Sequence, residues 1–209
     1  MKVQLISYSK YNVNNHNNNN DNNDNNDNDN NDNDNNNDND NNKEKGIQEL
    51  VAYCARVSNP QNQHIIETNE KLIQYLIKNN HWSPFEMVNI CLEIETTRDI
   101  ARQILRHRSF SFQEFSQRYA IADLGFQHRE VRLQDSKNRQ NSIETDNTVL
   151  EEQWQKYQTE TMALAELSYK WAIQNGIAKE QARVVLPEGN TKSRLYMNGT
   201  LRSWIHYIQ

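Results

Sequence analysis

Residues 106 to 118 read Arg-His-Arg-Ser-Phe-Ser-Phe-Gln-Glu-Phe-Ser-Gln-Arg, and no other stretch of the chain gathers as much chemistry. Arg106, His107, Arg108 and Arg118 are cationic or can become so, and they stand among hydroxyls, an amide and the carboxylate of Glu114. Arg presents a planar fork of donors that matches phosphate oxygens and carbonyl edges, and Ser adds short, adaptable hydrogen bonds. The run therefore suits a ligand that carries phosphates and a flat heterocycle. A bare Arg-His-Arg would be explained by a basic helix end complementing the macrodipole. The spacing of the whole run, R-H-R-x7-S-x-R, asks for more than that.

Three further segments carry reactive or recognition groups. His81-Trp82-Ser83-Pro84-Phe85-Glu86 places an imidazole ahead of a Ser-Pro turn, and His can donate, accept and stack. Ala182-Arg183-Val184-Val185-Leu186-Pro187 sets one guanidinium in an otherwise apolar turn, where it needs an anionic or carbonyl partner. Thr200-Leu201-Arg202-Ser203-Trp204-Ile205-His206 closes the series. The chain has five Gly, none clustered, and neither a GxGxxG nor a Walker loop, so any nucleotide cofactor must be held by side chains. Cys54 and Cys91 each sit in an apolar run without CxxC spacing and read as buried free thiols. Neither has an adjacent base or cationic cluster to activate it as a nucleophile. No metal site is expected.

In order along the chain, these segments resemble the flavin-dependent thymidylate synthases: H-x-[ST]-P-F-E at 81–86, R-H-R-x7-S-x-R at 106–118, A-R-x-x-L-P at 182–187 and the segment from Thr200. The resemblance covers nearly the whole chain outside an Asn/Asp tract. It implies reductive methylation of deoxyuridylate (dUMP) to thymidylate, with methylenetetrahydrofolate as the methylene donor and NADPH as the reductant of bound FAD. By resemblance Gln103, Arg106, Glu114, Phe115, Ser116, Gln117, Arg118 and Arg183 hold the deoxyuridylate. Ser83, Arg106, His107, Arg108, Glu114, Thr200, Leu201, Arg202 and His206 fall to the flavin, and His81 is the candidate catalytic residue near flavin and pterin. The family implies a homotetramer with sites between subunits, and no nucleic-acid or membrane partner. Family members continue past the position of Gln209 to an Arg that helps the uracil ionise, so the chain is expected to be truncated at that end. The competing expectation is a catalytically silent nucleotide- or RNA-binding protein that keeps the basic motif, with Phe110, Phe112 and Phe115 as stacking platforms.

Composition fits small anionic ligands. The formal charge of −5 becomes +3 once the 8 Asp of residues 12 to 42 are set aside, since 20 acidic then face 23 basic residues. That tract is almost pure Asn and Asp and cannot bury apolar area, so it is expected to be a disordered insertion. The first residues are too short for a signal h-region and no apolar run approaches a membrane span, which with two unpaired Cys points to a reducing, cytoplasmic or otherwise intracellular setting.

Periodicity places the elements that must position these groups. Alternation predicts strands over Lys2 to Tyr8 and Met87 to Thr96, and a further strand over Lys192 to Met197. Helical spacing predicts Ile47 to Val57, Asn69 to Lys78, 97 to 105 and Thr148 to Asn175, the last with positions 150, 154, 157, 161, 164, 168 and 171 along one stripe. A short helix over Ala178 to Leu186 and another from Leu201 complete the set. Residues 125 to 147 lack a period and read as a long mobile loop. Glu114, Ser116 and Arg118 are expected on one face of an extended segment. The whole reads as one α+β domain, helices packed on a small, mainly antiparallel sheet.

Overall fold

The computed structural model describes residues 1–11 and 40–209, and of residues 40–45 the backbone alone. The fold is α+β with a small antiparallel sheet, as the periodicities predict. The expected insertion lies outside the described residues except for Asp40, Asn41 and Asn42, whose backbone opens the first helix, α1, Asp40–Ala55. The chain forms two compact units, Met1–Leu5 with Leu92–Met197 and Ile6–Cys91 with Asn198–Gln209.

The backbone carries a four-stranded sheet of order β1-β2-β6-β3, of which residues 2–5, 92–97, 111–114 and 192–197 belong to the first unit. Its strands are β1 (Lys2–Tyr8), β2 (Asn89–Thr97), β3 (Ser111–Glu114) and β6 (Lys192–Thr200), with the pair β4 (Leu133–Gln134) and β5 (Ser142–Ile143) forming a separate hairpin. Strand β1 sits at the edge, and its Val3 and Leu5 are exposed. The interior strand β6 alternates strictly, burying Ser193, Leu195 and Met197 and turning Lys192 and Tyr196 outward. This period-two burial is what a central strand with one packed face demands. Strand β3 was not expected from sequence; at four residues it is too short to declare a period.

Helix α3 (Arg98–Ile104) follows β2 with no linker, because Thr97 is both the last strand residue and the helix N-cap. Ala101 and Ile104 face inward, as the spacing predicts. Helix α4 (Thr148–Gln174) starts at Asn147, whose side chain accepts from the Leu150 N–H. It stops at Asn175, and Gly176 at φ +76° supplies the left-handed residue that ends a helix at low cost. The buried residues of α4 are Gln158, Met162, Ala165, Tyr169 and Ala172. The stripe that carries Trp154, Tyr157, Leu164 and Trp171 is exposed instead, together with Leu167. Tyr169 and Ala172 pack with Ala182 of α5 (Lys179–Ala182), supported by Ala122, Ile173 and Leu186.

Helix α5 is shorter than the expected helix and passes into a 3₁₀ turn at Arg183–Val185, with Val184 and Val185 exposed. Residues 125 to 147 also depart from the expected mobile loop, because side chains tie them down. Phe126 bridges to Thr191, Asp135 accepts from the N–H groups of Lys137 and Asn138, and Arg132 donates to Ser142. Arg129 does most. Its N–H donates to Gln158 Oε1 at 2.7 Å, its Nε to the Gly189 carbonyl and its guanidinium to Thr97 and Asp99. These bonds repeat with no period, so hydrophobic patterning is blind to them.

The second unit is built round Val51, Leu76, Phe85 and Val88, with Ile47, Leu50, Leu72, Ile73, Trp82, Leu201 and Ile205 packed on them. Helix α1 and α2 (Asn69–Lys78) supply one side, as the i, i+3, i+4 spacing predicts. A 3₁₀ turn, Ser83–Met87, carries Phe85 inward and leaves Met87 exposed, so the strand begins two residues later than expected. Helix α6 (Leu201–Ile208) follows β6 as directly as α3 follows β2, with Thr200 ending the strand and capping the helix by accepting from the Ser203 N–H. Among the described residues no helix is long and apolar enough to cross a membrane. Cys54 and Cys91 are half-buried rather than fully buried.

Candidate functional site

The basic run begins where α3 ends. Leu105 keeps helical geometry, and the N–H groups of Arg106 and His107 reach back to the carbonyls of Gln103 and Ile104. Phe110 is buried and pins the far end of the turn before β3 starts at Ser111. Arg106, His107 and Arg108 are thereby held out to solvent on a tight, anchored turn. Among the described residues Arg106 and Arg108 make no ion pair or side-chain hydrogen bond, so their donors are available to a ligand. Gln103 is exposed on the last turn of α3.

Beyond β3 the backbone does not stay extended. Ser116 accepts the N–H groups of Tyr119 and Ala120 on its carbonyl and the Arg118 N–H on its Oγ, which winds 116–120 into a turn. Glu114, Ser116 and Arg118 therefore do not share one strand face, contrary to the expectation from alternation. Local Ser-to-backbone bonding competes with the strand and wins here. The turn buries Gln117 to 3 % exposure, and its Nε2 has no partner among the described residues. A buried donor left unpaired costs about 1–3 kcal/mol, so such a group signals a ligand or a function. Arg118 remains exposed over the Tyr119 ring, with Glu180 of α5 at 3.9 Å. Arg183 is half-buried and donates from Nε to the Glu180 carbonyl at 3.2 Å, so its expected carbonyl partner is met. Phe115 is half-buried and its N–H pairs with the Arg194 carbonyl.

Glu114 is the most elaborately held of the nominated residues. Its Oε1 accepts from Ser193 Oγ at 2.8 Å and lies 3.7 Å from the guanidinium of buried Arg98. Sequence reasoning missed Arg98, Ser193 and Glu180. Arg98 had one signal, a charged residue at a helix start between two apolar runs; the others had none.

In the second unit a separate group assembles. Trp82 stands edge-on to His206 at 5.0 Å between ring centroids, His81 meets Tyr75 at 5.9 Å, and Arg202 pairs with Glu86. Ser83 and His81 are exposed. Thr200 and Leu201 are occupied structurally, the first as the α6 cap and the second against the Val51 cluster. The structure thus brings together Gln103 to Arg118 with Arg183 in one unit, and Ser83, Arg202 and His206 in the other.

Two titrating groups bear on the site. Burial pushes the Cys54 thiol up, which disfavours the thiolate a nucleophile needs. Burial would also raise Asp99, at the start of α3, but hydrogen bonds from Thr97, Arg129 and the Ile100 N–H outweigh it and hold the carboxyl below its ordinary value. A depressed folded pKa contributes stability above the unfolded value of about 3.9 and loses it as pH falls through the folded value. As pH falls below about 4, the native protein is therefore expected to lose melting temperature more steeply than Asp99→Asn. Parallel curves in calorimetry would remove Asp99 from the account.

Known proteins resemble the chain over most of its length. The family model described as thymidylate synthase complementing protein matches residues 41–209. A flavin-dependent thymidylate synthase of Synechocystis sp. is 51% identical over 159 residues, 76% of this chain and 72% of the relative. A probable flavin-dependent thymidylate synthase of Paramecium bursaria Chlorella virus 1 is 48% identical over 162 residues, covering 78% and 74%. Among solved structures, a UMP/dUMP methylase from Streptomyces cacaoi bound with 5-Br dUMP superimposes with a TM-score of 0.71 at 24% identity, over 99% of this chain and 75% of that one. At that identity the likeness is one of fold.

Proposed function

The chain belongs to the flavin-dependent thymidylate synthase family, and from that premise we propose that it converts deoxyuridylate to thymidylate with FAD, NADPH and methylenetetrahydrofolate. Support comes above all from the turn at 106–118, where the unpaired guanidiniums of Arg106 and Arg108 accompany the orphaned Gln117 Nε2 in one motif.

The residues present fit a flavin dinucleotide. In the first unit Arg106 and Arg108 offer forks to a diphosphate, and the second unit by itself offers an exposed hydroxyl at Ser83 and an imidazole at His206, in a chain with no glycine-rich phosphate loop. When bound, the flavin supplies the two-electron reduction. The chain's own part is positioning and charge. Arg118 and Ser116 hold the nucleotide phosphate, Gln117 gives its buried amide to the nucleotide, and Gln103, Arg106 and Arg183 bracket the uracil. Guanidiniums fixed beside the uracil carbonyls stabilise negative charge that develops in the ring. His81 takes a place near flavin and pterin, where an exposed imidazole can donate or accept. No enzyme nucleophile is required, in keeping with the raised Cys54 thiol.

The same reading includes a homotetramer and one catalytic domain per chain. The outward stripe on α4, with Trp154, Tyr157, Leu164 and Trp171 spaced three, seven and seven residues apart, has the heptad spacing of a helix–helix seam, so a second copy is its proposed occupant. Sedimentation as a monomer would overturn that assembly. The activity itself is tested on purified protein by absorbance and by thymidylate formation from deoxyuridylate, methylenetetrahydrofolate and NADPH. A yellow protein that turns over is expected. A colourless protein that shifts RNA would replace the enzyme with a nucleic-acid binder.

A further inference from the structure

Arg98 is 4 % exposed, an unusual place for a guanidinium, and it reaches both Glu114 of β3 and the loop that follows the Arg183 segment. It is the first residue of α3, which presents Gln103 and leads to Arg106. Its Nε donates to Glu188 Oε2 at 3.2 Å, and Glu188 lies just past the Arg183–Pro187 segment. Its Nη1 lies 3.7 Å from Glu114 Oε1, at the end of β3. Its N–H donates to the Thr191 carbonyl, one residue before β6. Arg102, a turn later on α3, donates to the other oxygen of Glu188 at 3.2 Å.

A buried cation needs anionic partners, and here it has two carboxylates. Only one of them, Glu114, is a site residue, and only one of its oxygens is engaged. Oε1 is gripped by Ser193 and faces Arg98, while Oε2 has no partner among the described residues. The carboxylate is thus fixed in rotation, with one oxygen committed to the protein and the other left for a donor outside it. A single guanidinium shared between Glu114 and Glu188 also sets the spacing of β3, α3 and the segment after Arg183.

We infer that Arg98 is a positioning residue for the reaction, acting through Glu114: it orients the carboxylate so that Oε2 meets the nucleotide. The inference rests on the proposed role of Glu114 in holding deoxyuridylate. Since Arg98 is buried beside a carboxylate, its loss should be read in nucleotide affinity more than in turnover.

The test is a double-mutant cycle on the flavin-loaded protein, with deoxyuridylate binding followed by calorimetry and KM and kcat followed separately. Glu114→Gln alone is expected to weaken binding about tenfold, equivalent to about 1.4 kcal/mol. Arg98→Met is expected to raise Kd and KM about tenfold in the native background and less than about twofold beside Glu114→Gln, because coupled residues are not additive. Arg98→Lys should recover part of the loss by keeping the charge. An Arg98→Met effect of equal size in both backgrounds, or none on nucleotide affinity, would leave Arg98 a structural residue and overturn the inference. Unchanged affinity in Glu114→Gln would instead overturn the assignment of Glu114, and the inference with it. Should Arg98→Met fail to fold, Arg98→Gln, which keeps a buried donor but removes the charge, is carried through the same cycle and decides the matter by the same pattern.

Discussion

Arg118→Ala is expected to weaken deoxyuridylate binding by about 2–3 kcal/mol, roughly 30- to 150-fold, while leaving the fold nearly as stable as before. The first half of that expectation comes from chemistry. A charge-assisted bond to a phosphate is among the stronger hydrogen bonds, and removing the donor leaves the anion unmatched. The second half comes from geometry. Arg118 and Glu180 are both exposed and stand 3.9 Å apart, so their pairing is worth no more than about 1 kcal/mol in water. The guanidinium is therefore held in place cheaply and can be given up by Glu180 to a stronger anion. Calorimetry with deoxyuridylate reads the first number and thermal unfolding the second. Unchanged nucleotide affinity would remove Arg118 from the phosphate site; a large fall in melting temperature would mean the residue is structural.

The largest effect on stability is expected at Leu195→Ala, at about 3–4 kcal/mol. Leu195 is fully buried on the interior strand β6, between buried Ser193 and Met197. Truncation removes the transfer free energy of the lost methyl groups and leaves a cavity that a central strand cannot collapse to fill. Against a typical net stability of about 5–15 kcal/mol, that is a large share. For a chain of this size it corresponds to a drop of roughly 6–16 °C in melting temperature. Below the transition, nucleotide affinity should change far less than in Arg118→Ala. Urea titration gives the stability, and a change under about 1 kcal/mol would show that the strand repacks.

Much of this fold was legible in the sequence because the relevant signals are local. Lys2–Tyr8 and Asn69–Lys78 were read to the residue, since alternation and i, i+4 spacing there have no competitor. The face of α4 was not readable. Its inner side uses Gln158, Ala165 and Ala172 while Trp154, Leu164 and Trp171 point outward, so apolarity alone marks the wrong side. Gln158 is buried because its amide serves the backbone of Arg129 in both directions, a contact 29 residues away along the chain. The chemistry of the candidate site followed the same division. Residue types and spacing named Arg106 to Arg118, but the grip of Ser193 on Glu114 spans 79 positions and is created by strand order. The turn at 116–120 was missed for a smaller reason, a Ser side chain bonding its own backbone where a strand would otherwise continue.

The direct joints between β2 and α3 and between β6 and α6 have a consequence for how this chain can vary. An α-helix turns about 100° per residue, so one residue inserted after Thr97 or Thr200 would swing every later side chain of that helix by more than a quarter turn. Gln103 would leave its present face at the first joint, and Arg202 and His206 would leave Glu86 and Trp82 at the second. Length changes at these two threonines are quantised by the helix, whereas the connection between β4 and β5 can grow with only a small entropic penalty. Homologues and engineered variants should therefore differ in length at the hairpin and hold these two junctions to the residue.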